Sequence, residues 1–464
     1  MDGDTVFNNT SVNQQPVPIQ QENIEVVPPQ DSSPSILGKI LKVFIALVVL
    51  FLIGFLVFSF LLPRFSPKKD EKVTLTYWGL WEDKRTMASI ISDFERQNPN
   101  ITVDYVKQDV KDYRERVVTR INNGTGPDLF PFHSTWLPMF SDLLLPLPQD
   151  TINKNDLQNY FYPVSQKDLV KNGAIYGIPL SVDTLSLFIN KESFAAAGLT
   201  APKTWEEFSR ISRTLTVKDE NGNIKNAGAA LGTFDNITHA PDIISLLMVQ
   251  NGADLKNLSG TSQNTIDALN FYVQFAKEED RVWDEKLANS INVFAQGNLS
   301  MYFGYSWDIF TIKALNPNLN FEVDPVPHLP GRNTTIASYW PDGVSVKSKH
   351  QKEALMFLKF LYQKEVMQKL YSEESKTRLF GELYGRKDLA ENLKSNNLIY
   401  PFVDQAKDSS SSFFASDTSD NGLNSQANVY LGNAVRSMLG NTSADSAVEV
   451  LAKGVAQVLA KYGQ

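Results

Sequence analysis

Residues 73–105 have the sequence VTLTYWGLWEDKRTMASIISDFERQNPNITVDY, whose pattern of apolar residues indicates the fold class. Its first six residues, up to Trp78, are mostly β-branched or aromatic, which is typical of a strand. Apolar residues then recur at i, i+3, i+4 and i+7, the spacing of an amphipathic helix. These residues are Met87, Ile90, Ile91 and Phe94. After Asn98-Pro99, apolar residues alternate along a second strand up to Tyr105. A strand, a helix and a strand within about thirty residues predict a βαβ unit and a parallel sheet.

The same alternation of strands and helices continues along the chain. A second helix is predicted with Tyr113, Val117 and Ile121 on one face, and a third strand follows over 128–132. Short strands are predicted over 175–179 and 185–189, and Asn221-Gly222 between two strand-like runs predicts a hairpin. From Val73 onward, the sequence therefore predicts an α/β protein of about 390 residues.

The composition excludes several classes of protein. The chain has 464 residues, enough for about two to four domains. Its net charge is −8, from 44 Lys and Arg against 52 Asp and Glu, which argues against a nucleic-acid-binding protein. It contains no cysteine, so disulfides, thiolate metal sites, cysteine nucleophiles and cysteine-linked lipids are excluded. Because it has four histidines, a histidine-rich metal site is not expected, and we predict no metal and no cofactor.

A long apolar run precedes the α/β region. Residues 43–62, VFIALVVLFLIGFLVFSFLL, carry no charge and span about 30 Å as a helix, the thickness of a bilayer core. A buried helix of a soluble domain rarely runs this long without a polar face. A cleaved signal peptide is the other alternative, but residues 63–67 form no A-x-A cleavage site. We predict a transmembrane anchor over 40–63, a disordered tail over 1–39 and a linker over 64–72.

Common catalytic motifs are absent from the sequence. It contains no P-loop, no G-x-G-x-x-G, no G-x-S-x-G and no H-E-x-x-H pattern. Residues 417–422 resemble the start of a calcium loop only faintly, because Asn428 stands where a bidentate glutamate is expected. Several carboxylates are candidates for a glycosidase pair, but the sequence sets no separation between them. They are Glu82, Asp83, Asp183, Asp308 and Asp342.

Aromatic residues concentrate where the predicted strands end or turn. Ligands of open α/β sheets bind at the carboxyl ends of the strands. Aromatic faces there suit sugars, whose C–H surfaces pack on the rings while their hydroxyl groups bond to nearby carboxylates and amides. The same residue types also build hydrophobic cores, so both interpretations stay open. The residues concerned are Trp78, Trp81, Phe132, Trp136, Trp307, Tyr339 and Trp340.

Six short stretches carry a family resemblance as an ordered set. They are FERQNPNI at 94–101, NGTGPDL at 123–129, GAIYGIP at 173–179, FINKESF at 188–194, PKTWEEF at 202–208 and FAQGNLSM at 294–301. In this order they resemble the extracellular, or periplasmic, solute-binding proteins of ABC importers, family 1. Within that family the resemblance is to the sugar-binding group that includes maltose-binding protein.

The resemblance implies a two-lobed α/β architecture, the type II periplasmic-binding-protein fold, preceded by one transmembrane helix. The ligand is expected in the cleft between the lobes, which close by a hinge motion. Lobe 1 is expected to comprise 73–182 with about 337–385, and lobe 2 about 185–335 with about 386–464. Such a domain binds its ligand without converting it, so we expect no enzymatic activity.

The resemblance also implies which residues contact the ligand. They come from the loops after the first and third strands, from the two chain crossings, and from a stacking position in lobe 2. The expected ligand-binding residues are Trp81, Glu82, Asp83, Phe132, Ser134, Thr135, Trp136, Asp183, Trp307, Tyr339 and Trp340.

The implied function is that of the membrane-anchored substrate-binding component of an ABC importer. Such a protein binds a sugar or oligosaccharide and presents it to permease subunits and their ATPase. Three alternatives stay open: an extracytoplasmic sensor domain, a binder of a peptide or polyol, and a carbohydrate-active enzyme.

The flanking charges and the family resemblance predict opposite orientations in the membrane. Basic residues are fewer before the apolar run than after it, which favours a cytoplasmic C-terminus. They are Lys39 and Lys42 before it, and Arg64, Lys68, Lys69 and Lys72 after it. Large domains translocate largely regardless of flanking charge, and the family resembled works outside the cytoplasmic membrane. We therefore expect a single-pass protein whose C-terminal domain is extracytoplasmic.

Overall fold

The structure of the chain is a computed structural model that describes residues 35–61, 72–277 and 281–464. The chain divides into an N-terminal unit, Met1–Asp70, and a large unit, Glu71–Gln464, and the two are described separately. The predicted disordered tail, apart from its last residues, and nearly all of the predicted linker lie outside the described residues.

The described part of the N-terminal unit is one long apolar helix. It runs over Ile36–Leu56 as an α-helix with no buried residue and continues as a π-helical segment, Val57–Leu61. The stretch Ile36–Ser59, 24 residues, is long and apolar enough to cross a membrane. The helix begins at Ile36, where the Gly38 N–H donates to the Ser35 carbonyl. The extent of the membrane anchor, 40–63, stays a prediction.

The large unit contains strands and helices up to residue 344, and the elements described after that residue are helical. The strands are β1 (Val73–Gly79), β2 (Ile101–Lys107), β3 (Leu129–Pro131), β4 (Val170–Lys171), β5 (Ala174–Ile175), β6 (Ile178–Pro179), β7 (Asp183–Thr184), β8 (Ser186–Asn190), β9 (Val217–Lys218), β10 (Ile224–Ala229), β11 (Leu299–Gly304), β12 (Phe321–Asp324), β13 (Ala337–Ser338) and β14 (Pro341–Val344). The α-helices are Lys84–Gln97, Tyr113–Asn122, Leu137–Phe140, Lys154–Tyr160, Pro163–Leu169, Lys191–Ala197, Trp205–Leu215, Ala240–Gln250, Ser262–Val273, Ser290–Ala295, Asp308–Leu315, Gln351–Leu361, Lys364–Glu374, Tyr400–Asp404, Leu423–Leu439 and Ala444–Lys461.

The first sheet contains the βαβ unit predicted from residues 73–105. Its strand order is β2-β1-β3-β14-β6. β1 pairs in parallel with β2, with Val73 opposite Ile101. The helix Lys84–Gln97 connects them and buries the four apolar residues that the periodicity indicated, Met87, Ile90, Ile91 and Phe94. The predicted parallel βαβ unit is therefore confirmed.

The second sheet has the strand order β12-β8-β11-β10-β9. All five residues of β8 are buried, and the Phe188 ring packs edge-on against neighbouring rings such as Tyr302. β9 and β10 pair in antiparallel fashion around Asn221-Gly222, as the hairpin signal predicted. Gly222 has a φ of +79°, a backbone region that glycine adopts without a steric cost.

The chain crosses between the two sheets at β7 and β13. These strands pair with each other in antiparallel fashion, with Asp183 opposite Ser338. Through β7 the chain passes from β6 of the first sheet to β8 of the second, and through β13 it returns to β14. Two five-stranded sheets joined by these crossings form the two-lobed α/β architecture that was expected. The crossings place residues 183 and 338–340 between the lobes.

The last hundred residues are shared between the lobes. The helix Lys364–Glu374 packs on Lys84–Gln97 beside the first sheet. The helices Leu423–Leu439 and Ala444–Lys461 pack on each other and on Ser262–Val273, beside the second sheet. The expected division of the chain between the lobes stays a prediction.

Candidate ligand-binding cleft

A cavity of about 560 Å³ lies beside the two crossings. Ligand pockets are commonly about 300–1,000 Å³, so this cavity has room for one or more sugar rings. Both lobes contribute side chains to its lining. Five of the expected ligand-binding residues line it: Trp81, Asp183, Trp307, Tyr339 and Trp340.

Tryptophans from both lobes face the cavity. Trp81, in the loop after β1, is 41% exposed, and its ring meets Trp340 edge-on with centroids 5.8 Å apart. Trp307 follows β11 in the other lobe and stacks on Tyr305 with centroids 4.3 Å apart and an interplanar angle of 15°. Each of these tryptophans contacts a second aromatic ring. Each lobe therefore offers an aromatic surface to an apolar face of a ligand.

Asp183 joins a crossing to the second lobe. Its carboxyl group accepts hydrogen bonds from the Thr184 N–H at 2.7 Å and from the Ser306 N–H at 2.9 Å. The Ser306 hydroxyl donates to the same oxygen. Burial raises the pKa of Asp183 to about 8, although these hydrogen bonds favour the ionised form. Asp183 thus orients the loop that precedes Trp307 while remaining on the cavity wall.

Charged residues at the edge of the cavity form a compact cluster in lobe 1. The Arg378 guanidinium contacts the carboxylates of Glu374 and Glu382, at 2.9 Å in each case. Arg378 and Glu382 line the cavity, whereas Glu374 is nearly fully buried. Burial, and secondly the charge of Glu382, raises the pKa of Glu82 in the same cluster. The cluster can offer both donors and acceptors to ligand hydroxyl groups.

The other expected ligand-binding residues do not line this cavity. Phe132 and Trp136 are fully buried in a hydrophobic cluster below the tryptophans. Ser134 and Thr135 border a separate cavity of about 440 Å³. Glu82 lines a small cavity of about 40 Å³, and Asp83 caps the helix Lys84–Gln97 by accepting from two backbone N–H groups. Ligand contact by these residues stays a prediction that their positions do not favour.

Several cavity-lining residues were not expected from the sequence. They include Thr238, Arg378, Glu382, Ser416, Asp417 and Ser419. The sequence contains two features that include some of these residues: opposite charges at i, i+4 in Arg378 and Glu382, and the Ser/Asp-rich stretch after residue 407. Neither feature indicated that the residues lie near Trp307. Among the residues that the structure describes, no group of three or more His, Asp or Glu side chains is arranged to hold a metal ion.

We expect the large unit to lose thermal stability as the pH rises from about 4 to about 8. Burial, and secondly the charge of Glu82, raises the pKa of Asp342 to about 8, whereas an unfolded aspartate titrates near about 4. Between these two pKa values the folded state keeps a proton that the unfolded state has lost. The free energy of unfolding therefore falls across this range and levels off above a pH of about 8. Asp342→Asn imitates the protonated form, so melting curves should show a smaller decrease for this variant. An equal or steeper decrease would contradict this assignment.

Comparisons with known proteins identify the family. Residues 78–368 match the model described as bacterial extracellular solute-binding protein. The multiple sugar-binding protein of Streptococcus mutans serotype c is 27% identical over 329 residues, covering 66% of this chain and 75% of that protein.

Two solved structures share the fold of the large unit. A cyclo/maltodextrin-binding protein complexed with maltotetraose has a TM-score of 0.69 at 20% identity, covering 85% of this chain and 98% of that chain. The sugar-binding protein MalE from the phytopathogen Xanthomonas citri has a TM-score of 0.67 at 22% identity, covering 84% and 98%. The type II fold is thereby confirmed.

The family match spans more than half of the chain and contains all six motif stretches. Members of this family bind solutes rather than convert them, so the expectation of a non-enzymatic protein is confirmed. The chain belongs to the family of bacterial extracellular solute-binding proteins.

Proposed function

We propose that this protein binds a sugar or oligosaccharide in the cavity between its lobes and presents it to the permease of an ABC importer. The observation that carries this proposal is the pair of aromatic surfaces, Trp81 with Trp340 and Trp307 with Tyr305, on opposite lobes of one cavity. A sugar ring has two C–H faces that pack on such surfaces. Its hydroxyl groups need hydrogen-bond partners, which Arg378 and the cavity carboxylates supply.

Relatives support a carbohydrate ligand. The Streptococcus mutans relative is described as a multiple sugar-binding protein, and a structural neighbour was solved with maltotetraose. Neither fixes the ligand of this chain, because the identities are 27% and 20%. We propose a neutral oligosaccharide, since Arg378 is already engaged by two glutamates and is therefore not available as an anion-binding cation.

A thermal-shift screen of the full chain in detergent tests the ligand class. The panel contains oligosaccharides, polyols and peptides. A ligand that binds the native state at about 100 times its dissociation constant adds about 2.7 kcal/mol to the stability. We expect an oligosaccharide to give the largest rise in melting temperature. Stabilisation by a peptide with no response to any sugar would overturn the carbohydrate assignment and keep the fold.

We further propose that the apolar helix anchors the protein in the cytoplasmic membrane. Its 24 residues span about 36 Å at about 1.5 Å per residue, enough to cross the hydrocarbon core with some tilt. The family is extracellular, which supports an external C-terminal domain despite the flanking lysines. The anchor would keep the binding domain near the permease subunits and their ATPase.

Protease treatment of intact cells tests the orientation. With an external domain, added protease removes residues beyond the helix while cytoplasmic markers survive. A fully protected domain in cells, digested only after lysis, would place the C-terminus inside.

A further inference from the structure

The segment Ser416–Asn421 has an unusual backbone for a surface loop. Asp417, Ser419 and Asn421 are non-glycine residues with positive φ, at 56°, 46° and 44°. Residues stay in this region only when the surrounding structure holds them there, and such residues concentrate at functional sites. Asp417 and Ser419 both line the cavity described above. The segment was not expected to take part in ligand binding.

A buried histidine fixes the first end of this segment. His239 is fully buried, and its Nε2 lies 2.8 Å from an Asp308 carboxylate oxygen. Its Nδ1 lies 2.7 Å from the Ser416 hydroxyl and 3.7 Å from an Asp417 carboxylate oxygen. The ring therefore sits between two carboxylates from different parts of the chain.

The same network supports the aromatic surface of lobe 2. The Ser416 N–H donates to one oxygen of Asp242 at 3.0 Å, and the Tyr305 hydroxyl donates to the other oxygen at 2.8 Å. Tyr305 is the ring on which Trp307 stacks. The position of the segment and the position of the stacking tryptophan are thus fixed by one set of buried groups.

The second end of the segment is held as firmly. The Asp420 side chain accepts from the N–H groups of Asn424 and Ser425, each at 2.9 Å, at the start of the helix Leu423–Leu439. Arg114 of lobe 1 donates to the Asp420 carbonyl at 3.1 Å. Between two fixed ends, the Asp417 side chain is still 62% exposed and lies at the cavity.

We propose that Asp417 is a specificity-determining residue of the cleft. Its carboxylate accepts hydrogen bonds from hydroxyl groups of a sugar ring packed on Trp307. His239 is the positioning residue that holds this carboxylate in place. This inference rests on the proposed sugar-binding function and assigns one residue of that site. A carboxylate built to accept from ligand hydroxyls discriminates strongly against an analogue that lacks them.

The charge of His239 is part of the arrangement. Burial disfavours the imidazolium, but the adjacent Asp308 carboxylate outweighs it and raises the pKa of His239 to about 9. The groups that face the ring are Asp308 from the helix Asp308–Leu315, Asp417 and Ser416 from the segment, Asp242 from its own helix, and Tyr302 and Tyr305 from β11 and the turn after it. Below pH 9 the imidazolium attracts both carboxylates. Above it, Asp308 and Asp417 lose this shared partner, and we expect the segment to be held less firmly.

Calorimetric titration of the full chain in detergent tests the proposal, with maltotetraose and mannotriose as probes. Asp417→Asn should weaken binding at least tenfold at pH 7 with little change in melting temperature. Wild-type affinity should decrease as the pH rises through 9, and His239→Asn should bind more weakly and lose this decrease. The matched control is Asp112→Asn, because Asp112 is also an exposed aspartate with positive φ (54°) and lies outside the cavity lining. It should bind as the wild type does.

The outcomes separate this inference from the function on which it rests. Sugar binding by the wild type with unchanged affinity in Asp417→Asn overturns the role of Asp417 and leaves the proposed function standing. A wild type that binds neither these probes nor any other sugar overturns both. If His239→Asn does not fold, the sugar affinities of the wild type and of Asp417→Asn measured against pH still test the role of His239. A wild-type affinity that stays constant as the pH rises through 9 contradicts that role.

Discussion

Replacing Trp307 with alanine should weaken sugar binding by about 10- to 100-fold while the fold stays intact. The Trp307 ring is partly exposed, lines the cavity and has Tyr305 directly behind it. Truncation removes the aromatic surface that lobe 2 offers to a sugar ring, and central aromatic residues commonly contribute about 1.4–2.8 kcal/mol to binding. The Tyr305 ring stays in place through its bond to Asp242, so the melting temperature of the unliganded protein should change little.

Leu315→Ala is the control for this prediction. Leu315 ends the helix that begins one residue after Trp307, is 56% exposed and does not line the cavity. Its truncation should leave affinity unchanged in the same titration. Equal affinities for Trp307→Ala and the wild type would remove Trp307 from the binding site.

Trp136→Ala should lower the free energy of unfolding by about 3–5 kcal/mol, the range for a large buried aromatic residue. The side chain is fully buried, packs 4.9 Å from the Trp340 ring and 5.3 Å from the Phe140 ring, and is stacked near Tyr113. Denaturant unfolding of the unliganded chain measures the loss. Trp136→Phe keeps an aromatic ring in the cluster and should lose less.

The Trp136 variants also distinguish a structural role in the hydrophobic core from direct contact with the ligand. If Trp136 only supports Trp340, Trp136→Phe should retain affinity within a few fold. A large loss of affinity in Trp136→Phe with unchanged stability would instead restore the expectation that Trp136 touches the ligand.

The predicted fold followed from local periodicity. The helix carrying Met87, Ile90, Ile91 and Phe94 buries these residues as the spacing indicated, and β1 and β2 flank it in parallel. Such a pattern lies within about thirty residues of sequence, so predicting it requires no information on contacts between distant residues.

The cavity was harder to predict than the fold. Trp81 and Trp136 both follow a strand end, yet one is 41% exposed at the cavity and the other is fully buried. An aromatic residue at a strand end fits either place, and its neighbours in space decide between them. The position of Asp417 at the cavity could not be predicted for a related reason. Its contact with His239 joins residues that are 178 positions apart in the sequence.

A crystal structure of the chain with the best-binding sugar of the screen would show in which cavity the sugar lies. We predict sugar rings in the cavity of about 560 Å³, with one face on Trp307 and hydroxyl groups within hydrogen-bond distance of Asp417 or Arg378. A sugar bound in the separate cavity beside Ser134 and Thr135, with the tryptophan-lined cavity holding only water, would show that the tryptophans do not form the binding site.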